Sequence, residues 1–235
     1  MKKVLFEDIG VSNYKEVWDY QEKLLQENVE RKRNGEPTTN YLLFTEHAPV
    51  YTLGKNGNAM HVLVSEHQRM QKGIEYFHIN RGGDITFHGP GQLVGYPIFD
   101  LDQFKTDLGW YLRSLEEVII LTMADYGLQG ERSKGETGVW IEPLNKGRER
   151  KICAMGIRCS RWITMHGFAF NVNTDLSYFN YIVPCGIQNK KVTSLEKELG
   201  HTVAMSEVKE KVKKNFEKVF DVEIKIHEVN HSFVV

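Results

Sequence analysis

The chain has no long apolar run, no pair of cysteines at redox or metal-binding spacing, and almost no net charge. Each absence removes a class of function. Its 30 lysines and arginines stand against 31 aspartates and glutamates, and a formal charge of −1 provides no bulk field for coating nucleic acid or an anionic membrane. Only local basic patches stay open. Cys153, Cys159 and Cys185 form an odd set without a Cys-x-x-Cys, which argues against a disulfide framework or a zinc knuckle and fits a reducing compartment. The apolar start Val4-Leu5-Phe6 is cut by Glu7 and Asp8, too early for a signal segment, and no later stretch is long enough to span a bilayer. There is no Gly-Lys-Ser/Thr phosphate loop either. A cytoplasmic protein without metal, nucleotide cofactor, nucleic acid or membrane is expected.

What the chain does have is a crowded stretch from Arg81 to Ile98, with glycines at 82, 83, 89, 91 and 95 around one arginine and one histidine. So many glycines weaken a strand and suit close backbone approach to a ligand. Asp84-Ile85-Thr86-Phe87-His88 alternates, placing Asp84, Thr86 and His88 on one face and Ile85 and Phe87 on the other. The bland alternative is a tight hairpin turning at His88-Gly89-Pro90-Gly91.

Around this stretch, strand and helix patterns alternate irregularly without repeats, which predicts a single α+β or mixed α/β domain over residues 1–235. Helices are expected from Asn13 to about Arg31, with Asn13 and Glu16 as a capping pair, from Asp107 to about Tyr126, ended by Gly127, and from Ser206. A short helix should open at Thr193 or Ser194.

Two predicted strands, Lys151 to Ile157 and Trp162 to Val172, each carry small residues on one face. Ala154 and Gly156 project together, as do Gly167 and Ala169, so adjacent strands would leave a trough suited to a straight alkyl chain. Close helix packing needs the same residues. Strict alternation puts Lys151 with Cys153 on the opposite face, so Lys151 reaches the trough only if the strand bulges or begins after it. The nucleophile candidate is Cys185, held between Pro184 and Gly186. A free thiol is only a few per cent ionised at neutral pH and needs a nearby cation or base, for which Lys151, His88 and His166 are the supply. Spacing does not choose among them.

Glu46-His47-Ala48-Pro49-Val50-Tyr51-Thr52-Leu53-Gly54, the Arg81 to Ile98 block, Lys151-Ile152-Cys153-Ala154-Met155-Gly156-Ile157-Arg158, Thr164 to Val172, Pro184-Cys185-Gly186-Ile187 and Thr193-Ser194-Leu195 occur in that order. Together they closely resemble the lipoyl(octanoyl) transferase family. The resemblance implies the biotin/lipoate protein ligase catalytic-domain fold, a mixed, largely antiparallel sheet with packed helices. It also implies transfer of octanoyl from octanoyl-acyl carrier protein to a lysine on lipoyl domains of 2-oxoacid dehydrogenases and on glycine cleavage H protein.

By the same resemblance Cys185 is the acyl-thioester nucleophile and Lys151 lowers its pKa. Substrate binding falls to Arg81, Gly82, Gly83, Asp84, Ile85, Thr86, Phe87 and His88, to Ala154, Met155 and Gly156, and to Gly167, Phe168 and Ala169. His166 is a candidate for positioning or proton transfer. Two departures stand out: Cys153 replaces the usual alanine, adding a possible off-target thiol, and Phe168 replaces a common leucine, which would bear on acyl length. Passing an acyl group from thioester to amine is downhill, so no nucleotide is required, and backbone N–H groups of the glycine-rich segments are candidate oxyanion donors. Lys146, Arg148 and Arg150, or Lys190 and Lys191, are candidates for docking an acidic carrier, the alternative being a solvated loop. The rival functions are an ATP-dependent lipoate-protein ligase, a cysteine hydrolase and a noncatalytic acyl-binding module.

Overall fold

The structure, a computed structural model, describes residues 1–183, 191–229 and 231. Its strands are β1 (Lys2–Ser12), β2 (Asn40–His47), β3 (Val50–Leu53), β4 (Glu75–His78), β5 (Ile85–His88), β6 (Gln92–Ile98), β7 (Glu131–Arg132), β8 (Val139–Ile141), β9 (Arg150–Ser160), β10 (Ile163–Asn171), β11 (Lys191–Val192) and β12 (Val222–Ile226). The large sheet runs β12-β1-β2-β6-β10-β9-β8-β7, with β11 beside β9. Within it β1 is parallel to β12 and β2, β11 is parallel to β9, and the other pairings are antiparallel. The expected mixed, largely antiparallel sheet is what forms.

The α-helices among the described residues are α1 (Tyr14–Arg33), α2 (Glu66–Gln71), α3 (Leu108–Ala124), α4 (Leu195–Leu199) and α5 (Met205–Phe220). Residues from α3 and α5 meet Phe44, Ile152, Cys153, Phe168 and Phe170 of the sheet in one large core. On the other face, α1 supplies Val17, Leu24 and Leu25 against Leu43, Val94, Tyr96 and Ala169. In α1 Tyr14, Val17, Leu24 and Leu25 are buried at helical spacing, as the sequence predicts, and the polar Gln21 and Asn28 are buried with them. Asn13 does occupy the N-cap but makes no side-chain cap hydrogen bond. The buried Tyr14 ring, packed on His47, Phe77 and His88, anchors that entry instead. The capping box occurs at Ser65 and Gln68 on α2, a helix the apolar spacing does not show. Asp107 caps α3, and Ser194 caps α4 as expected.

The hairpin reading of the glycine-rich block fails. Strand β5 pairs with β3 in a separate sheet of order β4-β3-β5, whereas β6 pairs with β2 and β10 in the large sheet. The His88-Gly89-Pro90-Gly91 turn therefore carries the chain from one sheet to the other, and the two sheets form walls of one pocket.

Candidate active site

Strands β9 and β10 form the floor. Ala154 lies opposite Ala169 and Gly156 opposite Gly167, and all four border a pocket with about 850 Å³ of free space, part of it the open mouth. Lys151 borders the same pocket. A bulge is what brings it there: Trp140 of β8 faces Lys151 and the next residue back, Val139, faces Cys153, so β9 carries one extra residue between them. Ile152 and Cys153, although adjacent, both sink into the α3–α5 core, and this returns Lys151 to the face of Ala154. Its ammonium lies 4.6 Å from the centre of the Trp140 ring.

The bulge also decides the fate of Cys153. Its side chain is fully buried on the helix side of the sheet, and burial pushes the thiol well above its ordinary pKa. It is not an off-target thiol beside the site. Phe168 packs into the same core, with its ring edge-on to Phe44 at 6.2 Å, and it also borders the pocket. Phe87, by contrast, is absent from the pocket wall and stacks on Tyr178 at 4.6 Å in a smaller core.

The absence of a side chain at Gly156 serves the Arg81 loop. A Cβ there would stand 2.7 Å from the Gly82 carbonyl oxygen, and the Gly82 N–H donates to Ile157 O at 2.9 Å, so the loop lies directly on β9. At Gly167 a Cβ would meet the Gly95 carbonyl at 2.3 Å, so strand packing explains that glycine. Arg81 is buried with its guanidinium donating to Thr52 O at 2.6 Å, Thr52 Oγ1 at 3.0 Å and Gly82 O at 3.0 Å. Gly83, Asp84, Ile85, Thr86 and His88 also line the pocket, whereas Gly82 does not. The N–H groups of Gly82 and Gly91 are already given to Ile157 O and Glu46 Oε2, which removes both as oxyanion donors.

Neutral histidines fill the deep end. His88 Nδ1 donates to Gln92 Oε1 at 2.8 Å, because the Gln92 amide nitrogen is given to Asn171 Oδ1 and Phe87 O, and the ring stacks on Tyr14. His47 Nδ1 donates to Ser12 O and its Nε2 accepts from the Tyr96 hydroxyl at 2.7 Å. His166 sits in β10 with φ at 59°, a left-handed conformation that L-residues resist. Its backbone N–H goes to Gln21 Oε1 and its Nε2 to Asn80 Oδ1, while its buried Nδ1 has no partner among the described residues. Burial lowers all three pKa values, to about 4 for His47, to about 3 for His166 with Arg81 and Arg158 assisting, and well below the usual value for His88. Neither His88 nor His166 is a cation at neutral pH.

Burial is graded along the pocket: Tyr14, Tyr96, His88 and His166 are buried, whereas Thr137, Lys151, Ala154 and Val192 are half-buried at its mouth. Cys185 lies outside the described residues. Before it, Val183 donates its N–H to His61 O at 2.8 Å, and after it Val192 pairs with Lys151. Tyr14, Gln92 and Tyr96 line the pocket without having been singled out in the sequence. Gln92 and Tyr96 belong to the block that drew attention, but Tyr14 looks like an ordinary helix core residue. Among the described residues, no group of three or more His, Cys, Asp or Glu side chains could hold a metal ion.

Residues 13–217 match the lipoyl protein ligase A/B catalytic domain. An octanoyltransferase of Christiangramia forsetii is 55% identical over 231 residues, spanning 95% of this chain and 98% of that protein. One of Flavobacterium johnsoniae is 55% identical over 230 residues, spanning 95% and 99%. Among solved structures, a putative lipoate protein ligase from T. acidophilum superimposes with a TM-score of 0.71 at 14% identity, covering 98% of this chain and 90% of that one. Lipoate-protein ligase A bound with ATP gives 0.70 at 15% identity, covering 97% and 89%. These two likenesses establish the fold.

Proposed function

The chain belongs to the lipoyl protein ligase A/B catalytic domain family, and we propose that it transfers octanoyl from octanoyl-acyl carrier protein to a lysine of lipoyl domains through a thioester on Cys185. The observation that carries the reading is the β9 bulge, which sets an ammonium at the mouth of a trough floored by Ala154 and Ala169. A straight acyl chain fits the trough with its carbonyl at Lys151.

The Cys185 thiolate attacks the carrier thioester carbonyl, forming one C–S bond as the other breaks. The Lys151 ammonium gives its proton to the departing carrier thiolate. It is then neutral and takes a proton from the acceptor amine as that amine attacks the Cys185 thioester. The amide forms, Cys185 leaves as thiolate beside the restored ammonium, and no nucleotide enters. Acceptors are the lipoyl domains of 2-oxoacid dehydrogenases and glycine cleavage H protein. Among the described residues, no helix is long and apolar enough to cross a membrane.

The test mixes the protein with octanoyl-acyl carrier protein and a lipoyl domain in the absence of nucleotide, and follows acceptor mass. Octanoyl in amide linkage on the acceptor is expected. Transfer only from free octanoate with ATP would establish a ligase, and release of free octanoate a hydrolase; either overturns the proposal.

A further inference from the structure

Three separate segments meet at the mouth of the pocket, and each brings exposed cations. Thr137 ends a loop that carries Lys134; the connection between β8 and β9 carries Lys146 and Arg148 just before Lys151; and β11 places Lys191 beside Arg150 and Val192 beside Lys151. Lys134, Lys146, Arg148 and Lys191 are all exposed, and Lys191 donates to Gly147 O at 3.3 Å, which draws β11 onto the connecting loop. Leu144, 88% exposed, stands on that loop among them.

The carboxylates of the same segments are engaged or inward. Glu142 and Glu198 hold Arg150 at 2.5 and 2.7 Å, so Arg150, which the sequence groups with Lys146 and Arg148, is spent inside the fold, and the second oxygen of Glu142 lies 3.4 Å from Arg148 Nε, whose side chain stays exposed. Glu136 and Glu149 are half-buried, each with Oε2 closed off from solvent. What the mouth offers outward is a cationic rim around one apolar side chain, on a chain whose net charge is −1.

We infer that this rim of Lys134, Lys146, Arg148 and Lys191 around Leu144 docks the acidic carrier of the acyl donor, and not the acceptor domain. The inference rests on the carrier-thioester reading above. Charge complementarity carries the assignment: the donor brings an anionic protein and a phosphodiester in the arm that delivers the thioester, and a cationic rim suits both. A buried deep end leaves the rim as the side from which the arm threads its acyl chain inward.

The experiment compares two donors for wild type and the quadruple variant Lys134→Glu, Lys146→Glu, Arg148→Glu and Lys191→Glu. One donor is octanoyl-acyl carrier protein and the other octanoyl-N-acetylcysteamine, which has no carrier to dock. A fall of at least tenfold in kcat/KM with the carrier, less than twofold with the small thioester, and an unchanged KM for the lipoyl domain are expected. Turnover of the small thioester also reports that the variant folds. Leu144→Asp should reproduce the pattern more weakly. Equal losses with both donors, no loss, or a rise confined to the acceptor KM would overturn the docking assignment. A wild type that used neither thioester but used octanoate with ATP would instead overturn the functional reading beneath it.

Discussion

The two faces of the sheet at β9 and β10 are built from alternate residues of the same strands and do opposite things. Toward α3 and α5, Ile152, Cys153, Phe168 and Phe170 fill the space between sheet and helices. Toward the pocket, Ala154 and Ala169 leave that space open, Gly156 admits the Arg81 loop, and the bulge adds Lys151. One face gives stability and the other room for a substrate. The division follows side-chain volume together with the bulge, which sends both Ile152 and Cys153 to the core face.

The comparison breaks most directly at Lys151. Lys151→Met keeps the stem and removes the ammonium, and kcat should fall by about 10² to 10⁴ with the unfolding midpoint nearly unchanged. A fall of less than tenfold would take Lys151 out of the chemistry. The volume argument is sharpened by a pair of variants. Phe170→Ala on the core face should cost about 3–5 kcal/mol in denaturant unfolding while folded molecules keep their kcat/KM. Ala154→Leu on the trough face should leave stability within about 1 kcal/mol and cut kcat/KM for an octanoyl donor by about 10²-fold, with shorter acyl chains favoured. Equal effects of the two on activity would erase the distinction between the faces.

The smallest expected effect is on pH. His47 and His166 are buried neutral with pKa values near 4 and 3, below the unfolded value of about 6.5, so the unfolded chain binds protons first as pH falls. Their contribution is complete above about pH 6.5 and is lost progressively toward pH 4 and 3, with about 3 kcal/mol at stake from His47 alone. Unfolding midpoints measured from pH 7.5 to 5 should decline, and His47→Gln should flatten the decline. A flat wild-type profile would mean that these rings find protons or solvent in the folded state.

Much of this was legible in the residues. Alternation gave the faces of β5, β9 and β10, helical spacing gave α1, α3 and α5, and the ordered motifs gave the family. The capping box at Ser65 and the tyrosine at position 14 were not. A six-residue helix without buried residues leaves no apolar period, and Tyr14 becomes a wall only when a separate sheet folds against it. The β9 bulge was one of two conditions under which Lys151 could reach the trough, and the residues did not choose between them: Lys151-Ile152-Cys153 has no glycine to mark it, and it is the pairing with β8 that puts two neighbours on one face. The hairpin alternative for the glycine block fails for the same cause, since a turn within a hairpin and a turn between two sheets need the same residues.

The central claim is that the pocket face carries the acyl chemistry and the core face does not. Intact mass after mixing with octanoyl-acyl carrier protein, in the absence of acceptor, tests it on wild type, Cys185→Ala and Cys153→Ala. One octanoyl group on wild type and on Cys153→Ala, and none on Cys185→Ala, is the expected result. Octanoyl retained by Cys185→Ala and lost by Cys153→Ala would place the nucleophile on the buried face and contradict the account.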